Sequence, residues 1–217
     1  MELSPAKALA NSLTPEMAAI ISDFAEVGLD AVSADSILKE VPVMSTVVHA
    51  YNIGKTVREN YHKKKFFEFI KAMIQGIADE QKRREYAKKF RDDEKFRNQE
   101  LEYALVMVER FVGMDKPQML AKVYLSYLDG DIQWVEFTQY AEIIDRFLPG
   151  DFEALKSAFY EKDYAYPSGS GPRLQSMGLV TEEPSRVGMN LGRITVQTGG
   201  TKHGFTEFGK KLVEILT

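Results

Sequence analysis

Beyond Thr14, the apolar residues of this chain recur in blocks at helical spacing. Met17, Ile20, Ile21 and Phe24 form the first stripe, with Thr14 as cap, Pro15 at the first helical position and Gly28 as terminator. Ser33 or Ser36 is placed to cap a short helix through Ile37 and Leu38. Pro42 then opens a long helix that runs from apolar into basic sequence, although the β-branched residues Val43, Thr46, Val47 and Val48 have mixed propensity for it. Phe66, Phe69, Ile70, Met73, Ile74 and Ile77 make one broad stripe between Tyr61 and Ile77, and Lys63, Lys64, Lys65, Glu68 and Lys71 fall outside it. Residues 79–97 are highly charged with sparse apolar positions, which predicts a solvated helix or helix pair.

Four more stripes follow: Leu101 to Phe111 ending near Gly113, Leu120 to Tyr127 ending at Asp129-Gly130, Trp134 to Leu148 closed by Pro149-Gly150, and Phe152 to Phe159. The short connections favour antiparallel neighbours. After Tyr160 the composition changes. Residues 161–173 read as a loop by their Gly, Ser and Pro content, Leu174 to Leu179 as short helical turns ending at Gly178, and Arg193 to Gln197 as a strand before a Gly199-Gly200 turn. Phe205, Phe208, Leu212 and Ile215 then form an amphipathic helix with Thr206 near its start as cap. The predicted fold class is mainly α: a multi-helix bundle of residues 1–160, a linker over 161–172, and a small α+β unit over 173–217.

Composition supports a packed core, because 44% of the 217 residues are hydrophobic and include 13 Phe, 10 Tyr and 9 Met. Cysteine is absent, which removes disulfides, thiolate nucleophiles and sulfur-bound zinc. The first residues show no basic region followed by an apolar run, so no signal peptide is expected. Val41 to Gly54 is the most apolar segment and is too short for a bilayer span of about 20 residues. A cytoplasmic location is therefore the expectation. The net charge of −4 is uneven: residues 55–97 carry +6, whereas 98–166 carry −7.

Several motifs suggest chemistry and fall short of it. Gly54-Lys55-Thr56 ends like a phosphate-binding loop, but His49 stands where the first glycine belongs and a helix is expected where a strand is needed. Asp129-Gly130-Asp131 followed by Glu136 resembles half a calcium loop, with Leu125 and Tyr127 where its first two carboxylates belong; a helix-ending turn with Asp131 capping the next helix explains it as well. His49, His62 and His203 have no partners at metal-ligand spacing, and Glu142 with Asp145 reads as a solvated face. No enzyme activity, metal or cofactor is expected, and no catalytic residue is assigned.

The basic clusters Lys63, Lys64, Lys65, Arg83, Arg84 and Lys88 are the candidate partner-binding residues. Acidic residues interleave with them, which favours complementarity within the chain or with a protein over phosphate binding. Val41–Ile77 combines apolar and Lys-rich faces and so also suits peripheral contact with an anionic membrane.

Leu174, Met177, Gly178, Leu179 and Val180, a strand pair at Met189 and Arg193 to Gln197, and Phe205-Thr206-Glu207-Phe208-Gly209-Lys210-Lys211-Leu212 together resemble the closing part of winged-helix domains. The resemblance implies either a protein-interaction module or a DNA-binding regulator, the latter using Arg186, Arg193, Lys202 and Lys210. The segment before Gly178 is short and poor in Arg, Asn and Gln for a reading helix. The segments Val41 to Lys55 and Tyr127 to Phe137 are similar to those of uncharacterised bacterial and prophage-encoded proteins, which implies a bacterial or phage setting, with phage–host conflict as one role open to it, and carries over no catalytic residue. The expected function is a non-enzymatic protein-interaction or regulatory module, with a protein partner or self-association and with nucleic acid as the alternative.

Overall fold

The computed structural model describes residues 5–27, 40–51, 53, 56–93, 96–161, 164–167, 169–183, 189–190, 193–194 and 202–217. Over these residues the protein is mainly helical, and it divides into two compact units, Met1–Asp145 and Arg146–Thr217. The helix over Asp151–Tyr160, grouped with the bundle by its pattern, belongs to the second unit. Both short segments expected around Ser33–Leu38 and Gly199-Gly200 lie outside the described residues, as do residues 195–197 of the expected strand.

The first unit contains α1 (Pro5–Ser12), α2 (Pro15–Val27), α3 (Pro42–Ala50), α4 (Val57–Gly76), α5 (Glu80–Asp92), a π-helical turn (Phe96–Leu101), α6 (Glu102–Arg110), α7 (Lys116–Asp129) and α8 (Trp134–Arg146), whose last residue lies across the boundary. Local signals explain several boundaries. The Thr14 hydroxyl accepts the Met17 amide at 3.2 Å, Asp79 accepts the amides of Gln81 and Lys82, and α7 ends at Gly130, whose φ of 85° suits glycine. Asp131 does not cap α8. Instead the Gln133 amide donates to the Glu136 carboxylate at 2.8 Å, one turn ahead.

Two expectations change here. The long helix from Pro42 is in fact two helices, because Thr56 and Glu59 form a capping box: the Glu59 amide donates to the Thr56 hydroxyl at 3.3 Å and the Thr56 amide donates to the Glu59 carboxylate at 2.7 Å. That reciprocal pair starts α4 afresh. Lys63, Lys65 and Glu68, read as lying outside the apolar stripe, are buried. The reason is that α4 is covered nearly all round: it packs on α7 most extensively and also touches α2, α3 and α6. Phe66, Phe67, Phe69, Ile70, Met73 and Ile74 on α4 are buried, as are Leu120, Val123 and Tyr124 on α7, and the Phe69 ring meets that of Tyr124 at 6.3 Å. Val43, Met44 and Val47 of α3 are buried too, so the apolar face that membrane contact through 41–77 requires is already packed inside the unit.

The second unit contains α9 (Asp151–Tyr160), α10 (Ser170–Ser176), β1 (Val180–Glu183), β2 (Met189–Asn190), β3 (Arg193–Ile194), β4 (Lys202–Phe205) and α11 (Glu207–Leu216). β1 pairs antiparallel with β4, with Val180 opposite Phe205 and Glu183 opposite Lys202; β2 pairs antiparallel with β3 between them. The outer pair was not legible as strands. Gly178, at φ 73°, turns the chain from α10 into β1. Leu155, Leu174, Leu179, Val180, Leu212 and Val213 form the core, and Phe159 meets Phe205 edge to face at 5.5 Å.

Candidate functional site

The interruption between α3 and α4 shapes a cleft of about 330 Å³ in the first unit. Tyr51 and Ile53 enter it from the segment after α3, while Thr56, Arg58, Glu59 and His62 come from the start of α4 and Glu109 from the last turn of α6. Lys65 anchors the end of α6. Its Nζ donates to the carbonyls of Glu109 and Phe111, both at 2.6 Å, which satisfies acceptors that a helix C-terminus leaves open. Lys116 repeats the device on α8, donating to the Asp145 carbonyl at 2.7 Å.

The electrostatics follow from burial. Burial pushes the Lys65 ammonium down to about 8, against the opposing pull of Glu109. Burial and then the positive charge of Lys65 hold the His62 imidazole below its ordinary value, so it is neutral at pH 7. Its Nδ1 is buried without a hydrogen-bond partner among the described residues. The Tyr51 phenol is pushed up to about 12 by burial and by Glu102 and Glu109, so it remains a hydroxyl donor at physiological pH. Arg58 and Glu109 are exposed at the cleft and make no ion pair with each other.

No family model, curated protein or solved structure matches this chain. The residues themselves therefore carry the functional argument.

Most of the basic candidates have partners within the first unit. Lys63 is buried and donates to the Asn60 side chain at 3.4 Å, and Lys64 is half-buried. Arg83 donates to the carbonyls of Ile77 at 2.8 Å and Thr14 at 3.4 Å, and Arg84 pairs with Glu80 one turn earlier. Lys82 pairs at 2.6 Å with Asp129, which also accepts the Tyr86 hydroxyl, so the acidic turn that resembled half a calcium loop tethers α5 to α7. Lys88 is exposed. Glu142 and Asp145 hold Arg110 at 3.2 and 2.8 Å. Among the described residues no three His, Asp or Glu converge as a metal site; His49 is exposed on α3, His62 lies in the cleft and His203 falls on β4.

In the second unit, Arg186 lies outside the described residues, and Arg193 and Lys202 fall on β3 and β4. Lys210, in the first turn of α11, pairs with Glu207 at 2.6 Å. Sequence patterns had not singled out Tyr51, Ile53, Arg58 or Glu109. The spacing of Thr56 and Glu59 marks where the cleft opens, but no local pattern brings Glu109 to it.

Proposed function

We propose that this chain is a non-enzymatic regulatory module whose second unit is winged-helix-like and binds a protein partner. The order of elements supports the reading: two helices lead into β1, an inner β pair intervenes, and β4 returns to β1 before the closing helix. The Thr-x-x-Gly segment has a clear structural role in that arrangement. The Thr206 hydroxyl accepts the Gly209 amide at 2.9 Å as the cap of α11 and donates to the Gly178 carbonyl at 2.8 Å.

The choice of a protein partner over DNA rests on Arg173. It is the single cation of α10, the helix that precedes β1, and its guanidinium is bound to the buried Asp151 carboxylate. A helix that reads DNA turns its cations towards phosphates and base edges. The unit as a whole carries nine Lys and Arg against eight Asp and Glu, without the basic excess of a DNA footprint. A non-enzymatic role is supported by the buried charges Lys65, Lys116 and Asp151, each of which is engaged by a helix end or an ion pair.

Fluorescence anisotropy of the full chain with mixed-sequence duplex DNA, at about 20 and 150 mM salt, tests this. The expected result is no saturable binding at either salt. A photo-crosslinker at exposed Gln175 on α10 is expected to form an adduct with a protein in cells. Salt-sensitive DNA binding that is lost in Arg193→Ala would replace the reading with that of a DNA-binding regulator.

A further inference from the structure

We propose that the cleft between α3, α4 and α6 binds a small zwitterion, a free α-amino acid or a close analogue, with its carboxylate on Arg58 and its ammonium on Glu109. This site lies in the first unit and is independent of the partner assigned to the second. A volume of about 330 Å³ places it at the small end of ligand sites, suited to an amino-acid-sized molecule.

The charge pattern selects the ligand class. Of the two carboxylates at the cleft, Glu59 is held in the capping box with Thr56, which leaves Glu109 as the negative charge that lines the cleft together with Arg58. Opposite charges that line one cleft without closing on each other leave room for a molecule that carries both signs. A purely anionic ligand would meet Glu59 and Glu109, and a purely cationic one would meet Arg58. A zwitterion satisfies both ends with charge-assisted hydrogen bonds.

The neutral groups fit the same ligand. His62 Nδ1 is a buried polar atom with no hydrogen-bond partner among the described residues, and such atoms call for an explanation. Rotation of the ring towards the cleft would let it accept from an ammonium in one tautomer or donate to a carboxylate in the other. The Tyr51 hydroxyl supplies a further donor, and Ile53 offers apolar surface for a short aliphatic side chain. The frame is preorganised on both sides: the capping box sets the turn that bears Arg58, and Lys65 fixes the carbonyl of Glu109.

Isothermal titration calorimetry of the full chain with each of the common α-amino acids, up to about 10 mM, tests the proposal. At least one should bind saturably. On the wild-type protein, the deaminated acid and the decarboxylated amine of the best binder should each bind about tenfold more weakly or worse. Arg58→Ala should weaken the amino acid and the acid while sparing the amine, and Glu109→Gln should weaken the amino acid and the amine while sparing the acid. Both positions are exposed, so the melting temperature should hold. The proposal is overturned if no amino acid saturates, if neither variant changes binding, or if inorganic phosphate binds in a manner that depends on Arg58 and not on Glu109.

Discussion

Arg173 grips the carboxylate of Asp151 with two hydrogen bonds, Nη2 to Oδ1 at 2.6 Å and Nε to Oδ2 at 3.2 Å. Asp151 is fully buried at the start of α9 and also accepts the Leu148 amide at 2.9 Å, so it ties α10 to the turn that opens α9. Replacing Arg173 with Ala leaves that carboxylate buried without its cation. The Arg173 side chain is 35% exposed, so solvent screens part of the loss. A loss of stability in the second unit is expected, read by hydrogen exchange at the amides of α9 to α11.

The same pair sets an acid limit for the second unit. Burial alone would raise the Asp151 carboxyl, but the hydrogen bonds from Arg173 and Leu148 outweigh it and hold the group below its ordinary value of 3.8. A depressed carboxyl adds stability above its unfolded value and loses it as pH falls through the folded value. Urea denaturation should therefore show the wild type losing stability from about pH 4 downward, with Asp151→Asn less sensitive over that window.

Lys65 predicts a rise of stability with pH in a second, alkaline window. It is 1% exposed and releases its proton near pH 8 in the folded protein, against 10.5 for an ordinary lysine. Unfolding between those values takes up a proton, so the group's contribution to stability rises with pH across that window and is lowest below pH 8. Lys65→Met leaves the carbonyls of Glu109 and Phe111 without their donor and should cost about 2 kcal/mol at pH 7. Chemical denaturation at several pH values should show the gap between wild type and variant widening from about pH 8 to pH 10. A constant gap would mean that Lys65 keeps an ordinary titration.

Gly209 tests how α11 is seated. A Cβ there would fall 2.0 Å from the Leu179 carbonyl oxygen, a backbone atom unable to rotate away. Helix propensity alone favours Ala over Gly by about 1 kcal/mol, whereas the clash predicts a net loss of about 2 kcal/mol. The sign of the measured change in stability separates the two. Gain of stability in Gly209→Ala would show that α11 does not approach Leu179 this closely.

The apolar stripes and the capping residues determined the local elements. Met17 to Phe24, Trp134 to Leu148 and Phe205 to Ile215 each state a helix within a few turns of chain, and Thr14, Gly130, Gly178 and Thr206 act at the boundaries where their chemistry places them. The capping box at Thr56 and Glu59 is equally local, but apolar and basic residues run continuously through it and mask the break. Tertiary structure decided the rest. Lys63, Lys65 and Glu68 read as surface residues because their partners or covering helices come from elsewhere, with Lys65 reaching carbonyls on α6 and Glu68 accepting from Gln118 on α7. Strands β1 and β4 gain their ladder from one another across a long intervening segment, and Glu109 reaches the cleft only when α6 folds beside α4. The physical reason is range: helix periodicity and caps act between residues a few positions apart, whereas the partners of buried charges and the walls of a cleft come from segments that only the folded chain brings together.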